Sequence, residues 1–372
     1  MNLEAIRYIY LRRVVATVLG ALGLDATAAI ASRLARGVFD MNTAGRKRTE
    51  ARLREAMDAM ATDADIDAIT AAMYQHIGRF WAEALFARRL LRDCSWRHFV
   101  RVEGETALRS LVEERRGCLL ATAYHGNPAV GVCALGQFFR PVHVMVDTFA
   151  QPQLRAWQHE LYSQRWVQPV NRKDAAVAVP RILRGGGAVM MICEHERQRG
   201  RAVPVRFLGR TLNGYPTLGR LARWFNVPVG VITCRRNNDG RFSFTLALHA
   251  TIEHASTGPS GNGADADDAA VVRQVMAVLE RAIMTCPEQY YWTLPMAVPQ
   301  PGDAKTIAAD SLSPTPPPAF EVDHHDRDVG RADAVDAVGL TDAPRADGRE
   351  LLSGLQAKLS DRREIEIVRD TA

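Results

Sequence analysis

One histidine stands directly behind a run of small and apolar residues: His125 follows "CLLATAY" and precedes Gly-Asn-Pro. An imidazole takes a proton from a hydroxyl or amine at neutral pH, because its unperturbed pKa is about 6.5. A second polar cluster, "CEHERQRG" at 193–200, follows another apolar run, "GGGAVMMI". A carboxylate on the far ring nitrogen of His125 would fix its tautomer and stabilise the imidazolium, and Glu194 or Glu196 could supply it. Strand alternation puts the two glutamates on one side and His195 on the other. Arg197 and Arg199 in this cluster, with Arg206 and Arg210 beyond it, suit a phosphate group. Each has a plainer reading: a strand-end histidine that bonds a backbone carbonyl, and arginines of a solvated loop.

Other chemistries are excluded or disfavoured by pattern. There is no G-x-S-x-G elbow for a serine nucleophile. "RGGGAV" lacks the Lys-Ser/Thr of a phosphate loop and reads as a tight turn into a strand. No metal site is expected, because His195 and its flanking glutamates would point to opposite faces of a strand. The six cysteines are scattered singly without C-x-x-C, which fits free thiols in a reducing compartment and points to the cytoplasm.

The chemistry must be held by a sizeable scaffold, and 372 residues with 47% hydrophobic and 24% charged side chains suffice for one. The net charge of +5 is uneven: residues 301–372 carry 9 Lys+Arg against 15 Asp+Glu, leaving 38 and 27 in residues 1–300. A basic body suits anionic partners, and without zinc-finger spacing, an RNP sequence or a helix-turn-helix, nucleic acid is not expected among them.

Residues 1–92 read as helical. The apolar positions Ile66, Ile69, Met73, Ile77, Phe80 and Leu85 step at helical spacing, with Asp65 as the expected cap. The apolar core Val14–Leu24 is about half the roughly 20 residues of a membrane span. Arg7, Arg12 and Arg13 beside Tyr8, Tyr10 and Leu11 suit either a helix lying on an anionic membrane surface or an ordinary docking helix. From about residue 98, strand-like runs (117–123, 141–146, 185–193, 226–234, 241–250) alternate with helix-like segments near 128–139, 152–165, 174–184, 216–225 and 267–286. This alternation predicts an α/β fold, a mixed, mostly buried sheet flanked by helices over 93–297. Residues 298–372, rich in Pro, Asp and Ala, read as a flexible acidic tail with a short helix at 349–369.

The order of these segments resembles the lipid A late acyltransferase family, the lauroyl- and myristoyl-transferase branch of the lysophospholipid acyltransferase superfamily. The resemblance is carried by "GCLLATAYHGN", by "NRKDAAVAVPRILRGGGAVMMICEHERQRG", by "VPVRFLGRTLNGYPTLGRLARWFNVPVGVITCRR" and by "VLERAIMTCPEQYYWTLP". It implies transfer of a fatty acyl group from an acyl-carrier protein or CoA thioester to a lipid or small-molecule acceptor, with no bound cofactor. It further implies a peripheral location on the inner face of the plasma membrane, with His125 as general base; Glu194 sits where the family has another acidic residue, and Glu196 is the other candidate for the carboxylate. Direct attack on the thioester would proceed without an acyl-enzyme, backbone N–H groups or a basic side chain holding the oxyanion. The chain departs from the family's His-x-x-x-x-Asp/Glu, because Val130 stands where the acid belongs. Relocation of the acid to Glu194 is the expectation, with an altered acceptor such as an amine or small polar metabolite. The alternatives are a silent carrier- or membrane-binding relative, or a tailoring enzyme acting on an assembly-line intermediate.

Overall fold

The computed structural model describes residues 21–146, 162, 165–197, 201–237, 241–253 and 264–293. The N-terminal basic-aromatic segment, the 152–165 helix, Arg199 and the acidic tail lie outside the described residues, apart from Tyr162 and Arg165 of that helix.

Three helices come first: α1 (Leu24–Met41), α2 (Thr43–Met57) and α3 (Asp63–Leu90). The cap of α3 is Thr62, not Asp65. The Thr62 side chain takes the amide of Asp65, and the Asp65 carboxylate returns to the Thr62 amide at 2.9 Å. This reciprocal box satisfies two amides that a single cap leaves orphaned. Ile66, Ile69 and Met73 are fully buried, as their spacing predicted, each contributing roughly 1.5–3 kcal/mol of burial.

After a single turn, α4 (Trp96–Phe99), chain order continues with β1 (Val100–Glu103), α5 (Glu105–Glu113), β2 (Cys118–Thr122), α6 (Pro128–Phe139), β3 (Val142–Val146) and β4 (Val167–Asn171). Then come α7 (Ala175–Arg184), β5 (Ala188–Ile192), the hairpin β6 (Val203–Phe207) and β7 (Arg210–Gly214), α8 (Thr217–Phe225), β8 (Val229–Arg236), β9 (Phe244–Ile252) and α9 (Ala264–Thr285). Seven described strands form one sheet in the order β1-β9-β8-β2-β5-β3-β4, and only the β8–β9 pairing is antiparallel. The fold is α/β with a mostly parallel sheet, as the alternation of runs predicted.

β2 lies inside the sheet and is buried at every position. Its alternation divides the core: Leu119 and Ala121 join the cluster with Val179, Leu221 and Val275, while Cys118 and Leu120 join that with Val130, Val144 and Leu246. Helix α3 reaches both clusters, through Met73 in one and Ala87 in the other. Among the described residues no helix is long and apolar enough to cross a membrane.

Candidate active site

The Gly-Asn-Pro that follows His125 is the local code for turning a strand into a helix. Gly126 has φ +66, and a Cβ there would lie 2.0 Å from the carbonyl oxygen of Cys234. Asn127 caps α6, its Oδ1 accepting the amide of Val130, and Pro128 occupies the first turn where no amide is needed. Val130 itself is fully buried in the core.

This turn holds His125 in the interior, 1% exposed. Its Nε2 lies 3.2 Å from the carbonyl oxygen of Cys286. A carbonyl only accepts, so Nε2 carries the proton and Nδ1 the lone pair. Nδ1 has no hydrogen-bond partner among the described residues. Burial lowers the pKa of the ring to about 4, against the raising effect of the Cys286 carbonyl.

The expected carboxylate–imidazole contact is not formed. Glu194 is buried, and its Oε1 accepts the amide of Tyr124 at 2.6 Å, one residue before the histidine. Its Oε2 is buried without a hydrogen-bond partner among the described residues. Burial raises its pKa to about 7. Glu196 is half-buried in the irregular segment after β5. The strand stops at Ile192, yet Glu194 and His195 still face different ways: Glu194 is buried, whereas His195 lines a cleft.

That cleft, open to solvent on one side, lies over the carboxyl ends of β2, β5 and β3. This is where ligands collect in parallel sheets. Its walls are apolar: Met145 and Val146, Met191 and Ile192, and Val272 and Met276 of α9. Tyr124 and Pro128 line it on either side of the His125 turn, and His195 meets the Tyr124 ring edge-on at 5.8 Å. Tyr215, which lines the cleft, has two guanidinium groups near its ring, Arg172 at 5.3 Å and Arg197 at 5.7 Å from the ring centre, and Arg172 also donates to the Tyr215 hydroxyl at 2.9 Å.

Of the predicted phosphate-binding arginines, Arg197 meets the cleft only through the ring of Tyr215. Arg206 is exposed on the hairpin, and its charge only partly offsets the burial that raises the pKa of Glu280. Arg210 acts on Arg52 and Tyr290, and neither Arg206 nor Arg210 lines the cleft. Tyr290 and Trp292 are core.

The family of bacterial lipid A biosynthesis acyltransferases matches residues 2–296. The chain belongs to that family. It is an acyltransferase, and the apolar cleft beside His125 has the character an acyl chain requires. No curated protein is similar enough to the chain to count as a match.

Four polar residues around the turn were not legible as site residues. His76 and Glu83 of α3 sit beside the apolar stripe, Arg236 ends β8, and Asn127 stands in the sequence only as part of the Gly-Asn-Pro after His125. The available signal was charge within apolar surroundings, since buried Glu and Arg occur almost only as pairs. Glu83 and Arg236 do form a buried pair.

Proposed function

We propose that the protein moves a fatty acyl group from an acyl-carrier protein or CoA thioester to a hydroxyl or amine of an acceptor, at the cytoplasmic membrane face, without a cofactor. The observation that carries the reading is an apolar cleft ending at the turn that bears a neutral, Nε2-protonated imidazole. The Nδ1 lone pair of His125 takes the acceptor proton as the acceptor oxygen or nitrogen bonds to the thioester carbonyl carbon. Collapse of the tetrahedral adduct breaks the C–S bond, and the imidazolium returns the proton to the leaving sulfur. The Cys286 carbonyl orients the ring where a carboxylate was expected.

The main-chain amides near the ring are already engaged: Tyr124 N–H by Glu194, Gly126 N–H by the Gln289 carbonyl, Asn127 N–H by the Cys234 carbonyl. These three amides are not open to an oxyanion, which leaves the His125 N–H or a basic side chain to hold it. Arg172 and Arg197 beside Tyr215 suit the phosphate of the carrier arm or of the acceptor. Because His125 is sealed behind Tyr124 and Pro128, this reading requires that wall to move when the acceptor enters.

A second reading is favoured by the one imidazole that lines the cleft directly among the described residues, His195, as the base. Thiol release from dodecanoyl-CoA and dodecanoyl-carrier protein separates the two. His125→Ala is expected to lower turnover by roughly 10²–10⁴-fold. Unchanged turnover in His125→Ala with loss in His195→Ala transfers the role to His195, loss in neither removes both histidines as the base, and absence of turnover in the unsubstituted protein marks a silent binding protein. Lipid A mass spectrometry of cells with and without the protein distinguishes a lipid A acceptor from an assembly-line intermediate.

A further inference from the structure

Helix α3 places His76 and Glu83 seven residues apart, two turns along one face, and both are buried. Arg236 at the end of β8 forks onto the Glu83 carboxylate through Nε and Nη2. Its third nitrogen, Nη1, lies 3.0 Å from Nδ1 of His76. A guanidinium only donates, so Nδ1 of His76 accepts and Nε2 carries the proton. That Nε2 donates to the carbonyl of Gly126 at 3.0 Å. Burial and the Arg236 charge push the His76 pKa well below its ordinary value, so the ring stays in this neutral form. The Glu83 Oε2 meanwhile accepts from the Asn127 side chain at 3.1 Å.

The backbone of Arg236 is fixed in turn by Gln289, which accepts its N–H at 2.7 Å and donates to its carbonyl at 2.9 Å. The carbonyl of Gln289 takes the Gly126 amide at 2.9 Å. Every branch therefore ends on Gly126 or Asn127, the two residues after His125. A buried ion pair is a poor source of stability, since apolar side chains of similar volume do as well or better. Its placement against this single turn needs another account.

We infer that Glu83, Arg236 and His76 are positioning residues that hold the turn bearing His125, and through it fix the imidazole in the Nε2-protonated form on the Cys286 carbonyl. The inference rests on the reading of His125 as the base. The buried carboxylate of this site acts on the peptide behind the ring and not on the ring.

The test uses the full chain with 15N-labelled histidine, the His125 ring signals being assigned by their absence in His125→Gln. Wild type shows a single Nε2-protonated ring. In His76→Leu the His125 signals are expected to move to a tautomer average, and the turnover number for thiol release from dodecanoyl-CoA to fall about 10–100-fold with little change in KM, as for a reacting group misplaced by part of an ångström. His76→Gln offers an acceptor to Arg236 and a donor to Gly126, and is expected to keep the wild-type ring signals and most of the turnover. Unmoved His125 signals in folded His76→Leu overturn the inference, as does a His76→Gln variant as impaired as His76→Leu. Should His76→Leu not fold, Arg236→Lys carries the same test, because a lysine cannot fork onto Glu83 and reach His76 together. Unchanged turnover in His125→Ala defeats the reading of His125 as base, while the ring signals still decide whether the relay positions it.

Discussion

His125 donates from Nε2 to the main-chain carbonyl of Cys286 at 3.2 Å, joining the end of β2 to the segment that closes the described chain. The bond spans 161 residues, so the tautomer of this imidazole is set by tertiary structure and not by its neighbours. Gly126 strengthens the junction, since His125 and Tyr290 pair as an isolated antiparallel bridge and the next amide bonds Gln289.

The burial of His125 makes stability depend on pH in a fixed direction. Its folded pKa is near 4, below the unfolded value of about 6.5. Between these values the unfolded chain binds more protons, so stability falls as the pH drops from about 6.5 to 4. The contribution is on the order of 3 kcal/mol. Urea melts of His125→Gln across this window are expected to show a shallower pH dependence than wild type. Identical slopes would mean that the ring is solvated.

Glu194 gives the opposite slope. Its folded pKa near 7 exceeds an unfolded value of about 4.3, so the folded chain binds more protons between them and stability falls as the pH rises through that range. Glu194→Gln keeps an acceptor for the Tyr124 amide and carries no charge. It is expected to match wild type near pH 4 and exceed it at pH 8. Glu194→Leu strands a buried amide at a cost of about 1–3 kcal/mol at either pH. Melting temperatures of the two variants at pH 4 and 8 check both statements, and a destabilised Glu194→Gln at pH 8 would indicate that the charge is needed.

Gly126→Ala is expected to damage the site more than its one added carbon suggests. The new Cβ would sit 2.0 Å from the Cys234 carbonyl oxygen, and φ of +66 disfavours any L side chain. Relief requires separating the turn from β8, which breaks the 2.6 Å bond from the Asn127 amide to Cys234. The expected cost is about 2–4 kcal/mol, with loss of thioester turnover in whatever fraction folds. A denaturant melt within 0.5 kcal/mol of wild type would contradict the close approach.

What the sequence displayed and what it concealed divide along physical lines. β2 and β5 were legible because strands buried on both faces are continuous apolar runs. Helix α6 was legible to the residue because Asn-Pro marks its start. β1 has only four residues, and β4 carries Pro169 and lies at the sheet edge, so neither shows a run. The hairpin turning at Leu208–Gly209 does alternate, with Val203, Val205 and Phe207 buried and Pro204 and Arg206 exposed, but its charges were read as loop. In the site, His125 and the cleft-facing position of His195 follow from strand ends. Glu83 and Arg236 show in the sequence only as charges within apolar surroundings, and their pairing, across 153 residues, leaves no local trace. Neither does the contact of Glu194 with an amide in place of the ring, since nothing in spacing distinguishes the two acceptors' targets.

The cleft makes a graded prediction about acyl chains. Met145 and Met191 reach it from neighbouring strands, each half-buried, and methionine is the apolar side chain most easily displaced. Met191→Trp removes space from the cleft and is expected to shift preference toward shorter thioesters, whereas Met191→Ala adds space and shifts it toward longer ones. Each methylene gained or lost from burial is worth about 0.8 kcal/mol, so two carbons change relative kcat/KM by roughly 15-fold. Competition among octanoyl-, decanoyl-, dodecanoyl- and tetradecanoyl-CoA, read by mass spectrometry, measures the shift. The two variants must move in opposite directions. Equal profiles in both would show that the chain lies elsewhere, because a side chain on the wall of the groove cannot change its volume without changing what fits.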